Sequence, residues 1–89
     1  MPWAIEFSET ALRQIEKLDK PVWLRIRKFL NERVAKLEKP RSIGEALHGP
    51  TLGDFWKYRV GDYRLICSIE DTRFVVLVLR IGNRREVYR

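Results

Sequence analysis

Alternating apolar and polar residues at the start of the chain give way to helical spacing. Positions 3–7 alternate as a short strand does. Ser8 is a suitable N-cap for a helix that follows, and Glu9 favours its first turn. The spacing predicts an apolar stripe on this helix made of Ala11, Leu12, Ile15 and Leu18.

A second helix is predicted after Asp19, because Pro21 suits a first helical turn and disrupts later ones. Its apolar stripe ends near Pro40 and comprises Val22, Ile26, Phe29, Leu30, Val34 and Leu37. The other face is charged and carries Arg25, Lys28, Glu32, Arg33 and Lys36. Opposite charges four residues apart are typical of a solvated helix surface. We therefore interpret this face as solvated, with contact to a nucleic acid as the alternative.

Two strands, 55–60 and 63–69, follow a connection that is rich in glycine and proline. Only Gly61 and Asp62 separate them, which is the length of a tight hairpin turn. That length fixes the pairing and places Arg59 opposite Arg64. Like charges in directly opposed positions are destabilising. A fold tolerates such a pair most readily where an anion approaches that face of the sheet.

The third strand of this meander, 74–81, is apolar on both faces and is predicted to be central. We expect a three-residue loop at 71–73, which pairs Ile69 with Val75. The same register pairs Arg64 with Arg80, whereas a two-residue loop would send Arg80 to the other face.

This register predicts one basic face and one helix-facing face of the sheet. The basic face gathers Lys57, Arg59, Arg64 and Arg80. The face against the helices holds Trp56, Tyr58, Tyr63, Leu65, Cys67, Leu77, Leu79 and Ile81. Trp56 and Tyr63 are base-stacking residues by type, but this placement favours a role in the core. As an alternative for the basic face, some arginines pair with acids from elsewhere, namely Glu6, Glu45 or Asp54.

The length indicates a single domain, 1–89. The order of the predicted elements indicates the α+β class, with an N-terminal strand and a two-helix hairpin packed on one face of a mainly antiparallel sheet. The net charge is +6. Residues 55–89 hold eight basic side chains, seven of them arginine, against four acids. Arginine binds phosphate with a planar fork of donors, so the balance is typical of a nucleic-acid binder. A basic surface that serves only solubility is the alternative.

Other classes of site find little support in the sequence. The lone Cys67 cannot form an intramolecular disulfide and is expected to pack in the core. The lone His48 has no cysteine, histidine or acid at metal-ligand spacing, so no metal site is expected there. No signal peptide or membrane-spanning stretch is recognised. We therefore expect a cytoplasmic protein with no cofactor and no membrane partner.

Two segments together resemble the signature of the RelE/ParE toxin superfamily, specifically its RelE branch. They are the hairpin, with Gly61-Asp62-Tyr63-Arg64, and the segment 81–88, with Gly82-Asn83-Arg84-Arg85-Glu86-Val87-Tyr88. The resemblance extends over essentially the whole chain. It implies a RelE-like microbial RNase fold and a ribosome-dependent endoribonuclease that cuts messenger RNA in the decoding site. It also implies a cognate antitoxin that holds the toxin inactive, with operator DNA bound through the antitoxin as a further partner.

By position, the resemblance implies five catalytic residues and a group of RNA-binding arginines. The catalytic set is Lys57, Arg59, Arg64, Arg84 and Tyr88. The RNA-binding set is Arg80, Arg85 and Arg89. Two positions depart from the family pattern, since the RelE branch often has lysine where this chain has Arg59 and histidine where it has Asn83.

The chemistry of RNA cleavage assigns roles to these residue types. Attack by the ribose 2′-hydroxyl needs a base, stabilisation of the phosphorane charge and an acid for the 5′-oxygen. Arginine stays charged and is a poor base, so Lys57, beside like charges, and Tyr88 are the two candidates. Arg59, Arg64 and Arg84 would clamp the phosphate. Two other functions stay open: a ParE-type gyrase poison, and a non-catalytic module derived from a toxin.

Overall fold

The computed structural model of the chain describes residues 3–47 and 55–83. Five strands and two helices make up this part of the chain. The helices are α1 (Glu9–Glu16) and α2 (Lys20–Phe29), and α2 continues into a π-helical turn at Leu30–Val34. A 3₁₀ turn follows at Pro40–Ser42. The strands are β1 (Ala4–Phe7), β2 (Glu45–Ala46), β3 (Trp56–Val60), β4 (Tyr63–Glu70) and β5 (Val75–Asn83).

The five strands form one mixed sheet with the order β1-β5-β4-β3-β2. β1 runs parallel to β5, and the other neighbours are antiparallel. The helices cover one face, where they enclose the main core with β3, β4 and β5. The predicted α+β class, with two helices on a mainly antiparallel sheet, is confirmed. No helix among the described residues is long and apolar enough to cross a bilayer.

Local sequence explains where the helices begin. Ser8 caps α1 as predicted: its Oγ accepts a hydrogen bond from the Ala11 amide at 3.1 Å and donates one to the Leu79 carbonyl at 2.8 Å. The cap thereby ties the start of α1 to β5. Asp19 precedes α2 and Pro21 lies in its first turn, although the Asp19 side chain makes no capping bond. Leu12 does not face the core as a member of the predicted apolar stripe of α1 would, because half of this residue (50%) remains exposed.

The β3–β4 hairpin has the predicted register at every pair. Arg59 lies opposite Arg64, and Lys57 lies opposite Ile66. Gly61 has a φ of +59°, a backbone conformation that glycine adopts without the steric cost of a Cβ. The two-residue turn therefore sets the pairing by its length and its glycine together.

The predicted β4–β5 register is wrong in two places. The connection has four residues, 71–74, and Glu70 pairs with Val75. Its last residue, Phe74, has a φ of +54°, which is uncommon for a side chain of this size. A register shift then falls between Ile66 and Cys67, with Leu79 as the extra residue on β5. Such a bulge reverses the alternation of faces along one strand.

The bulge decides which β5 residues enter the core. Val76 and Val78 are fully buried against the helices, in place of the predicted Leu77 and Leu79. Beyond the bulge the predicted face returns, so Ile81 is buried as expected. The expected helix-facing members of the hairpin are confirmed: Trp56 and Tyr63 pack against the core that contains Tyr58, Leu65 and Cys67.

Candidate functional site

Two transverse rows of residues make up the sheet face that points away from the helices. In the first row Lys57, Ile66 and Arg80 lie side by side on β3, β4 and β5. In the second row Arg59 lies beside Arg64, and Gly82 follows on β5. Neighbouring strands are about 4.8 Å apart, so four cationic residues share a small patch of sheet. The structure thus brings the predicted basic cluster together, with Arg80 beside Ile66 instead of Arg64.

Lys57 lies next to an acid from the edge strand. β2 pairs Glu45 with Lys57, and the Lys57 Nζ lies 3.3 Å from Glu45 Oε1. The lysine side chain is 21% exposed, whereas that of Glu45 is 70% exposed. Gly44 allows this approach, because a Cβ there would lie 2.5 Å from the Lys57 carbonyl oxygen and 2.6 Å from Trp56 Nε1. Glu45, one of the acids expected as an alternative partner for the arginines, pairs with the lysine of the cluster.

The two opposed arginines have different surroundings. Arg59 is exposed, and no ion pair joins it to any other residue that the structure describes. Arg64 is only 9% exposed. Its Nη1 donates to the carbonyl oxygens of Tyr63 at 3.2 Å and Gly61 at 3.4 Å. The turn carbonyls therefore hold Arg64, and Arg59 offers the freer guanidinium.

A small apolar cluster lies among these cations. Ile66 and Leu47 are buried and Phe55 packs against them. The Leu47 amide donates to the Phe55 carbonyl oxygen at 3.1 Å, which holds the cluster together. An apolar floor between cations is suited to a nucleobase or ribose beside a bound phosphate. The sequence analysis missed Phe55, although its spacing of two from Lys57 already places both on one face of a strand.

Two buried groups near the sheet are unsuited to proton transfer. Burial raises the pKa of the Tyr58 hydroxyl and that of the Cys67 thiol, since both charged forms would lose their hydration. The Tyr58 hydroxyl donates to the Pro40 carbonyl oxygen at 2.6 Å. Trp56 is similarly engaged, because its Nε1 donates to the Ile43 carbonyl oxygen at 2.8 Å. These side chains fix the sheet under the site.

Several predicted site residues lie outside the described parts of the chain. They are the catalytic candidates Arg84 and Tyr88 and the RNA-binding candidates Arg85 and Arg89. His48, where no site was expected, and Asp54, an alternative ion-pair partner, also lie outside the described residues. The last described residue of β5 is Asn83, which pairs with Tyr63. Within residues 3–47 and 55–83, no three His, Cys, Asp or Glu side chains are grouped to hold a metal ion.

Arg25 is exposed, as its assignment to the solvated face of the second helix predicts, and its guanidinium also lies against the β3–β4 turn. A Cβ added to Gly61 would be 3.1 Å from Arg25 Nη1. A signal for this position exists in the sequence, because Arg25 directly precedes the buried Ile26 and follows Val22 by three residues. It therefore borders the apolar stripe of α2.

Comparison with known proteins shows the family of this chain. A model of the ParE toxin of the type II toxin–antitoxin system parDE matches residues 5–88. The toxin RelG of Mycobacterium tuberculosis is 30% identical over 89 residues, covering 100% of this chain and 99% of RelG. The mRNA interferase toxin RelE of Escherichia coli is 34% identical over 90 residues, covering 99% of this chain and 92% of RelE.

Solved structures agree with the sequence comparisons. The toxin–antitoxin complex RelBE2 from Mycobacterium tuberculosis contains a chain with a TM-score of 0.84 and 26% identity, covering 97% of this chain and 95% of that one. The isolated Escherichia coli RelE toxin matches with a TM-score of 0.70 and 28% identity, covering 97% and 90%. From the matched family model, the curated relatives and the shared fold, we conclude that this chain belongs to the RelE/ParE superfamily and is a RelE-family toxin of a toxin–antitoxin system.

Proposed function

We propose that this toxin is a ribosome-dependent endoribonuclease that cleaves messenger RNA in the decoding site and thereby inhibits translation. The single observation that carries the proposal is the open sheet face on which Lys57, Arg59, Arg64 and Arg80 are neighbours. Glu45 pairs with Lys57 at the edge of this face. An excess of fixed positive charge on an apolar floor suits a phosphodiester and the ribose or base attached to it.

The proposed reaction uses the RNA's own 2′-hydroxyl as the nucleophile. A base removes the 2′-proton, the 2′-oxygen bonds to phosphorus, and the bond from phosphorus to the 5′-oxygen breaks as that oxygen receives a proton. The products are a 2′,3′-cyclic phosphate and a free 5′-hydroxyl. Guanidinium groups stabilise the extra charge on phosphorus, so this mechanism requires no metal ion bound by the protein.

Each candidate residue has a distinct role in this scheme. Arg59 and Arg84 are the proposed hydrogen-bond donors to the phosphate, and Arg64 adds positive charge from its position at the turn. Lys57 and Tyr88 are the proposed pair for proton transfer, as base and acid in either order. For Lys57 this role requires release from Glu45, because in the observed pair its ammonium is directed at a carboxylate. Arg80, Arg85 and Arg89 are the proposed contacts to the RNA backbone.

Dependence on the ribosome follows from what the site lacks. In-line attack requires the 2′-oxygen, phosphorus and 5′-oxygen to be aligned, and a flexible strand meets this condition rarely. The described sheet face is open and has no clamp for the strand. A ribosome that holds the codon in a fixed conformation would supply the alignment, so cleavage of free RNA should be slow.

The proposed partners follow from the same function. Ribosomes place the activity in the cytoplasm, and a cognate antitoxin would cover or distort the basic face. Complexes named RelBE have been solved for similar toxins from Mycobacterium tuberculosis and Escherichia coli. Operator DNA bound through the antitoxin is a further proposed partner.

A reconstituted translation reaction tests the function. A defined message is translated with the purified toxin, and primer extension maps the cuts. We expect cleavage within the codon at the decoding site, and a gyrase supercoiling assay that is unaffected by the toxin. Inhibited supercoiling with an intact message would instead indicate a ParE-type gyrase poison. An intact message with normal supercoiling would indicate a non-catalytic binding module.

A further inference from the structure

The tip of the β3–β4 hairpin collects positive charge from three elements of the fold. Arg59 is the penultimate residue of β3, Arg64 is the second residue of β4, and Arg25 reaches the turn from α2. Arg64 donates to the carbonyl oxygen of Gly61, and the Arg25 guanidinium lies close to the same glycine. Two guanidinium groups therefore contact one turn residue, and a third lies opposite Arg64 in the sheet.

The guanidinium of Arg25 is oriented with its face toward the glycine. A Cβ built on Gly61 would be 3.1 Å from Nη1, 3.3 Å from Cζ and 3.4 Å from Nη2. Three nearly equal distances mean that the plane of the group, and not its edge, faces the turn. The N–H bonds of a guanidinium lie in its plane, so they extend along the surface instead of into the protein. A planar fork in that position can bind two oxygens of one phosphate.

The acid at this tip, Asp62, leaves the positive charge of the arginines in excess. Asp62 lines a cleft of about 170 Å³ together with Arg25, Val60 and Tyr63. No ion pair joins Asp62 to Arg25 among the residues that the structure describes, and none joins Arg25 to any other of those residues. Like charges that are held close by the fold are unfavourable unless an anion lies between them. A bound polyanion would therefore relieve the repulsion among the arginines at this tip.

We propose that the hairpin tip is a second phosphate-binding site, in which Arg25 extends the cationic track from the sheet face around the turn to α2. Its ligand is the phosphate backbone of the ribosome-bound message next to the cleaved phosphodiester. This inference rests on the proposed function, because it assigns the ribosome-bound RNA as the partner. Arg25 is a binding residue here and does not take part in the chemical step.

Binding to ribosomes that carry a defined message tests Arg25. Arg25→Ala should weaken binding about tenfold at 0.1 M salt, as the loss of a charged hydrogen-bond donor does. It should also lower the slope of log affinity against log salt by about 1. The matched control is Arg27→Ala, which removes the same charge from the opposite side of α2, since two residues turn a helix by about 200°. The control should change the affinity less than twofold.

A second variant changes the tip in the other direction. Asp62→Asn removes the carboxylate from the Arg25 cleft and should strengthen binding two- to threefold at low salt, because the local repulsion of phosphate falls. Arg25→Lys keeps the charge but not the planar fork, so it should recover part of the loss. Circular dichroism melts of all variants report whether each one is folded.

The outcomes separate this inference from the proposed nuclease function. If the wild-type protein cuts the message and Arg25→Ala binds like Arg27→Ala, the tip is not a phosphate site. If Arg25→Ala weakens only the antitoxin complex, the tip is a protein contact and the inference is wrong. If the wild-type protein binds ribosomes through Arg25 without cutting, the binding site stands and the nuclease function fails.

Discussion

Glu45 should restrain Lys57, so Glu45→Gln should increase cleavage of ribosome-bound message. The two side chains are joined at 3.3 Å, and Lys57 has to leave this pair in order to reach a substrate. Because 70% of the Glu45 side chain is exposed, its ion pair belongs to the weak surface class. Such pairs contribute about 0.5 kcal/mol, which corresponds to a factor of about two at room temperature.

The assay is the cleavage rate of a defined message on ribosomes at subsaturating toxin and low salt. Glu45→Gln should be about twofold faster than the wild type, and the difference should vanish as salt screens the pair. Glu6→Gln is the matched control, since its carboxylate pairs with Arg73 and it changes the net charge equally. An equal gain in the control would show an effect of total charge. A slower Glu45→Gln protein would refute the reasoning, because Glu45 would then hold Lys57 in its working position.

Three further predictions concern the same surface and its supports. Arg64→Ala should lose cleavage and lower the free energy of unfolding by about 1 kcal/mol in urea titrations, because two hydrogen bonds to turn carbonyls outweigh the relief of repulsion with Arg59. If Lys57 is the base, Lys57→Arg should bind ribosomes normally but lose single-turnover cleavage, because arginine keeps its proton. An unchanged cleavage rate would mean that Lys57 is only a phosphate contact. The Arg41 guanidinium holds the pKa of the Asp71 carboxyl below its usual value, so the pair stabilises the fold above the unfolded pKa near 4 and less as pH falls. Acid unfolding of Asp71→Asn should therefore depend less on pH than that of the wild type.

The hairpin could be predicted from sequence because its turn leaves only one register. With Gly61 and Asp62 as the whole connection, each pair from Val60 and Tyr63 outward follows by counting. The basic composition of the sheet face then follows from the alternation of side chains. The same reasoning fails at β5, where an unbroken apolar run carries no alternation that could select a register.

Two local features moved the β5 register in ways that no periodicity contains. Phe74 adopts a left-handed backbone and lengthens the turn by one residue, and the bulge at Leu79 adds another. Together they shift the strand by two residues at Arg80, which is why Arg80 still lies on the basic face beside a different partner. Between the turn and the bulge the shift is one residue, so Val76 and Val78 are buried instead of the leucines.

The partners of the candidate site residues required the structure for a different reason. β2 has two residues and is too short to show a pattern, so the contact of Glu45 with Lys57 depends on tertiary structure alone. The position of the Arg64 guanidinium is a choice of rotamer, which the register does not determine. Arg25 reaches the turn because α2 packs close to β3 near Gly61. In each case the pattern gives the face of an element but not the contact made across elements.

The measurement that most directly tests the central claim is single-turnover cleavage of one message, free and ribosome-bound, by the wild type and by Arg59→Ala. Arg13→Ala, which removes an exposed arginine paired with Glu9 on α1, is the control for charge. We expect cuts in the decoding codon, at least 100-fold slower cleavage of the free message, and a loss on the order of 10²-fold in Arg59→Ala alone. Equal rates for Arg59→Ala and Arg13→Ala, or equal cutting of free and bound message, would contradict the assignment of the basic sheet face as the site of ribosome-dependent cleavage.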